Sequence, residues 1–508
     1  NVALGYAALD ANTTASSNTA VGYNSLGANT TGASNTAVGQ DALTANTTGT
    51  RNTALGRTAL QTNTTADDNT AVGYFAMYLN TTGALNTAVG KDALRANTTA
   101  SNNTAVGYNS LGANTTGHSN TALGTSAGTA VTTATENTFV GFSAGDATTT
   151  GSSNTAVGIN ALGANTTAAD NTAVGRHALA ANTTGTENTA VGLGAADANT
   201  TGNYNVAMGN NAFGTNTTGS ENTALGYRAM FANTEGATNV AVGSSALDEC
   251  TTGDNNTAVG VSALTSVTTA DANTGLGKSA GQEITTGTSN LAVGFQALAT
   301  ATTADNNTAA GHNALFNVTT GANNTAVGKS AGENITTGAD NVAVGYLALD
   351  ANTSGSNNAA FGKSSLSDNT TGIKNTAIGE NAGLTMTVSS LCTAVGYNAL
   401  GGTGVKRGAN NTAVGGGAGS LLTDGANNVC IGNDAGNTIT DGNQNVCIGS
   451  NVDVVGASTG GNVVIGYNVT GVAANTATFG IGANTASLGL DGSDTSWAAA
   501  SSDERLKE

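Results

Sequence analysis

Asn18-Thr19-Ala20-Val21-Gly22-Tyr23-Asn24-Ser25-Leu26-Gly27-Ala28-Asn29-Thr30-Thr31-Gly32-Ala33-Ser34 is followed at once by another copy of itself. The reading of this 17-residue unit decides the fold. The period runs without a slip from Asn1 to Cys392. A two-residue insertion near Gly401–Gly408 resets the phase, and starts resume at Asn411, Asn428, Asn445 and Asn462. Of 28 starts, 27 are asparagine, Cys392 being the exception, and the fifth position is glycine in all 28. Such regularity implies stacked units that share one continuous core.

Within a unit numbered 1 to 17, positions 2–4 (Thr-Ala-Val) and 7–9 (Asn-Ala-Leu) read as two short strands. The glycine at position 5 suits a corner that needs positive φ or close backbone approach. Positions 10–17 are turn residues throughout. Frequent glycine, β-branched residues and the lack of a 3.6-residue period exclude helix. The predicted coil is strand, corner, strand and long turn, stacked on its copies as parallel in-register ladders. The fold class is all-β: a parallel β-roll or β-solenoid of about 28 coils.

Composition agrees with that reading. Charged residues are 9%, aromatics 4%, and proline is absent. A residue repeated at one position stacks on its own copy, where like charges repel. Asparagine and threonine instead form hydrogen-bonded ladders. The net charge of −18, with no basic cluster to offset it, argues against nucleic acid as a partner. No run approaches 18 apolar residues, so no membrane insertion is expected. Cys430 and Cys447 stand one period apart and are read as small buried thiols, with a disulfide as the alternative.

The repeats carry an internal control on the core. Position 9, usually leucine, becomes glycine at Gly128, Gly145, Gly281, Gly332, Gly383, Gly419 and Gly436. In the same coils position 12, usually asparagine, becomes Val131, Thr148, Ile284, Ile335, Met386, Leu422 and Ile439. Volume lost at one position returns at the other in six of the seven, so the two share one interior site. Position 4 (Val, Leu, Ile) is expected to be the opposite core wall. Position 8 is almost always Ala or Ser, as at Ala8, Ser25 and Ala42. Alternation along a strand would turn it away from the core, where only a neighbouring chain demands small residues. A homotrimer is therefore expected.

Position 6 collects Tyr6, Tyr23, Tyr74, Tyr108, Tyr227, Tyr346, Tyr397 and Tyr467, together with Phe142, Phe295, Arg57, Lys91, Arg176, Lys278, Lys329 and Lys363. They form a longitudinal aromatic and basic stripe. It reads either as a face for a cell-surface glycan or protein receptor, or as a solvent-facing rim or subunit seam. The recurrent Asn-Thr-Thr, as at Asn12–Thr14, matches the glycosylation sequon but is explained by turn chemistry. His118, His177 and His312 fall on different lines of the solenoid, and neither metal nor cofactor is expected.

The Asn-Thr-Ala-Val-Gly unit resembles the Asn-Ser-Val-Ala-Ile-Gly repeats in the head of YadA-like trimeric autotransporter adhesins. That resemblance implies a left-handed parallel β-roll assembled as a trimer. The closing run Ser502-Asp503-Glu504-Arg505-Leu506-Lys507-Glu508 resembles the start of the self-cleaving intramolecular chaperone of bacteriophage tail spikes and fibres. By that resemblance Ser502 is the nucleophile of a single self-cleavage and Lys507 its activating base. The expected organisation is a repeat shaft over 1–461, an irregular transition over 462–501 and the chaperone start at 502–508. The expected function is the shaft of a phage tail fibre or spike supporting host attachment, located in the virion tail and outside the cell. A bacterial surface adhesin is the alternative, an ice-binding solenoid a third class. No enzyme acting on an outside substrate is expected.

Overall fold

The computed structural model describes residues 1–490, and the backbone of a two-residue strand at Ala498–Ala499. The chain is an all-β parallel β-solenoid. It divides into two units, Asn1–Asn255 and residues from Asn256 onward, holding fifteen and thirteen repeat starts. Each coil contributes one three-residue strand at positions 2–4, from β1 (Val2–Leu4) and β2 (Thr19–Val21) to β27 (Val446–Ile448). Pairing is parallel and in register with the period, Thr19 on Thr36, Ala20 on Ala37 and Val21 on Val38.

The expected second strand at positions 7–9 does not form. Positions 7 and 9 adopt the left-handed conformation, as at Asn24 (φ 57) and Leu26 (φ 51), and the segment is a chain of turns. Cross-coil bonding nevertheless persists around the whole perimeter. The Leu26 amide donates to Ala42 O at 3.0 Å, that of Asn24 to Tyr6 O at 2.9 Å, and that of Thr30 to Thr47 O at 2.9 Å. Within each unit the inner coils thus bond their backbone to both neighbours, and partly within the coil, even where the geometry is not extended.

This geometry moves two expected core positions. Within the strand, position 3 faces inward: Ala20, Ala37 and Ala54 are fully buried. Position 4 faces outward, with Leu55 47% and Leu123 48% exposed, so it is not a core wall. Position 8 is buried inside its own chain, as Ala42, Ala59 and Ser110 show. Its small size answers to that interior, not to a neighbouring chain, because alternating left-handed residues cancel the strand alternation. The shared site of positions 9 and 12 stands as expected. A Cβ on Gly281 would lie 2.6 Å from Leu264 Cδ2 and 2.9 Å from the Ile284 Cδ1 that fills its space. The exceptional Gly145 and Thr148 coil is explained too. Its position 3 is Phe139, whose ring occupies the room that Gly145 leaves, and Gly128 in the preceding coil yields to the same ring.

Two asparagine ladders line the interior. Asn35 N donates to Asn18 Oδ1 at 2.8 Å, while Asn35 Nδ2 donates to Gly49 O at 2.8 Å. On the position 12 line, Asn46 Nδ2 donates to Asn29 Oδ1 at 2.8 Å and to the same Gly49 carbonyl at 3.0 Å. Where Val131 interrupts this line, the Asn114 Oδ1 beneath it is left without a partner. Thr148 keeps the line polar, accepting from Asn165 Nδ2 at 3.4 Å. The Asn of each Asn-Thr-Thr therefore serves the interior, and its Thr bonds onward, Thr30 Oγ1 to Thr47 O at 3.0 Å. Cys430 and Cys447 are register partners, both buried and both free thiols.

In the insertion coil, Lys406 is bridged to Met386 and so takes the interior line of position 12. It is 2% exposed, and its Nζ donates to Ser420 O at 2.7 Å and Leu422 O at 2.6 Å. Burial pushes its pKa from 10.5 down to about 8. Between those two pH values the unfolded chain binds the extra proton, so stability rises with pH across this window. Below about pH 8 the full penalty is present, on the order of 3 kcal/mol. Replacing Lys406 by Met, the residue one coil below, is expected to stabilise residues from Asn256 onward at pH 7. The gain over wild type in denaturant unfolding should shrink towards pH 10.5; a pH-independent difference would refute the buried ammonium.

Beyond Asn462 the period ends and the strands lengthen. The strand β28 (Val463–Tyr467) pairs in parallel with β29 (Thr476–Ile481). That strand turns back antiparallel on β30 (Asn484–Gly489), which pairs with the backbone of β31 (Ala498–Ala499).

Candidate functional site

The stripe at position 6 follows the corner glycine, whose φ lies near +135° in coil after coil. A Cβ at Gly22 would lie 2.6 Å from Gly39 O, so the corners stack backbone against backbone. This sets the next side chains in line, one above another. Tyr6, Tyr23, Tyr108, Tyr227, Tyr346, Tyr397 and Tyr467 are exposed, while Tyr74 is half-buried.

Neighbours along the stripe cover one another's ring faces. Tyr6 stacks on Tyr23 with centroids 5.6 Å apart and 9° between planes, and Phe295 on His312 at 5.2 Å. The Arg57 guanidinium lies 4.5 Å from the Tyr74 centroid, Lys91 Nζ 5.2 Å from that of Tyr108, and Lys329 Nζ 5.9 Å from that of Tyr346. Tyr74 also packs on Phe75 at 4.0 Å. Such contacts contribute roughly 0.5–1 kcal/mol each at exposed sites. Rings held this way present edges to solvent, and the Tyr74 hydroxyl accepts from Arg57 Nη2 at 2.5 Å. Tyr227, Tyr397 and Tyr467 take part in none of these ring contacts.

A further feature escaped the sequence reading, the outer face of the sheet. Position 4 is apolar in all 28 coils, position 2 is Thr, Val, Leu or Ala, and neither ever carries a charge. By size alone, the larger residue of each Ala-Val pair belongs in the core. The signal that would have corrected it was Phe139, which enters position 3 only where Gly145 makes room. Ser502 and Lys507 lie outside the described residues. Among the described residues, no group of three His, Cys, Asp or Glu is placed to hold a metal ion.

No family model matches the chain, and neither the curated proteins nor the solved structures yield a match. The repetitive solenoid itself fits a structural, fibre-like protein.

Proposed function

We propose that this chain is the shaft of a bacteriophage tail fibre or spike, assembled as a homotrimer and holding receptor-binding parts away from the virion. The observation that carries the reading is the uncharged outer face at positions 2 and 4, kept in every coil of each unit. Solvent does not demand an apolar residue at position 4 of every coil; a neighbouring copy does. A standard stable interface takes about 800 Å² from each partner, and over the fifteen coils of Asn1–Asn255 position 4 offers apolar area such as Leu55, Leu123 and Leu225, each more than 40% exposed. Chains of net charge −18 approach best along a face that excludes every charge. The closing run at Ser502–Glu508 favours the phage over a YadA-like surface adhesin, which the repeat motif alone would equally suit.

Light scattering on the intact chain should return three times the chain mass. The exposed triple substitution Leu55→Lys, Val89→Lys and Leu123→Lys should return the single-chain mass with an unchanged circular dichroism spectrum. A monomeric wild type, or a trimeric triple variant, would overturn the assembly. Self-cleavage ahead of Ser502, with Lys507 as base, belongs to the same proposal. Mass spectrometry of the full-length precursor should then show a cut that Ser502→Ala and Lys507→Ala abolish; unchanged cleavage in Ser502→Ala would remove this serine from the role.

A further inference from the structure

The same arrangement of side chains occurs once in each unit. Arg57, Tyr74 and Lys91 occupy position 6 of three successive coils, and so do Lys329, Tyr346 and Lys363. In both triplets a cation lies over the central ring. The two cations of a triplet stand two coils apart, about 10 Å along the ladder at 4.8 Å per strand. Arg57 and Lys329 make no ion pair among the described residues, while Lys91 reaches Asp92 at 3.4 Å and Lys363 reaches Glu380 at 3.0 Å. The Lys363–Glu380 pair is exposed on both sides and weak, whereas in the other pair the Lys91 ammonium is exposed and Asp92 largely buried, so both cations remain open to an incoming carboxylate.

We infer that these triplets bind a linear acidic polysaccharide with one carboxylate per disaccharide, lying along the stripe. In an extended chain each pyranose spans about the rise of one coil, so successive carboxylates meet successive cations. The neutral sugar between them meets the edge of Tyr74, whose hydroxyl already accepts from Arg57, or the edge and hydroxyl of Tyr346. Binding through ring faces, the ordinary aromatic mode for sugars, is closed to Tyr74 because Arg57 and Phe75 occupy that space. A single-stranded nucleic acid fits less well, because it places a phosphate at every nucleotide and so sets charge against the tyrosine between the cations. The inference rests on the reading of the chain as an extracellular fibre.

Hyaluronan oligosaccharides, which alternate a uronate with a neutral amino sugar, are the probe, titrated into the intact chain at low salt. Binding is expected, and it should weaken at least tenfold in the variant carrying Arg57→Gln, Lys91→Gln, Lys329→Gln and Lys363→Gln. The off-stripe Lys374→Gln should bind as wild type does. Carboxyl-reduced hyaluronan should not bind, and poly-dT should bind at least tenfold more weakly. No binding by wild type, equal binding by the quadruple variant, or equal binding of the reduced polymer or of poly-dT would each overturn the inference. Light scattering on the same samples separates this outcome from a failure of the fibre reading: a trimer that ignores hyaluronan refutes the binding track alone.

Discussion

Gly158→Ala is expected to cost about 4 kcal/mol of folding stability, combining a forbidden backbone conformation with overpacking. Gly158 has φ +136°, a region that L side chains rarely enter. A Cβ there would lie 2.5 Å from Gly175 O and 2.6 Å from Gly175 C, and both atoms belong to a backbone held by the next coil. Neither can retreat without breaking the ladder. The control is Gly163→Ala at position 10, where φ is ordinary and other coils carry Thr44, Gln61 or Arg95. There the added methyl meets only the movable Asn160 side chain and Cβ geometry already common in the repeat, so the change should be below about 0.5 kcal/mol. Equal denaturant midpoints for the two variants would remove the stacked-corner account.

Leu26→Asp should be comparably severe. Leu26 is fully buried at position 9, beside the Asn29 of its own coil. A carboxylate at that site has no cation within the coil to pair with and must be buried charged or take up a proton. The expected loss is about 4 kcal/mol, at the high end for single substitutions. It should fall as pH drops towards the value at which the new carboxyl is neutral. An effect below about 0.5 kcal/mol at pH 7 would place position 9 on the surface instead.

Much of this architecture was legible because repetition supplies its own controls. The solenoid, the period, the asparagine and threonine ladders and the shared interior of positions 9 and 12 all follow from residues that vary together. What was misread concerns direction. Asn-Ala-Leu has the alternation of a strand, yet its outer members are left-handed, a state uncommon for leucine and costly outside a compensating context. The seven glycines at position 9, read only as volume changes, also mark that left-handed backbone. If positions 7–9 are extended, alternation places position 8 outside and position 4 inside. Both assignments reversed together. The stripe at position 6 was legible as a line of side chains, but which faces its rings present depends on rotamers that no spacing specifies.

The interior exchange between glycine and a larger neighbour has a hereditary side. Where Gly281 makes room for Ile284, both residues lie in one coil, so that coil can be copied or lost as a piece. Misaligned recombination between repeats would then change the number of coils and keep this exchange intact wherever the coil before supplies a leucine, as Leu264 does. Phe139 is different, because its ring needs glycine both at Gly145 in its own coil and at Gly128 in the one before. Those two coils can be inherited only together, and a crossover falling between them would leave a phenylalanine facing a leucine in a space built for one of them.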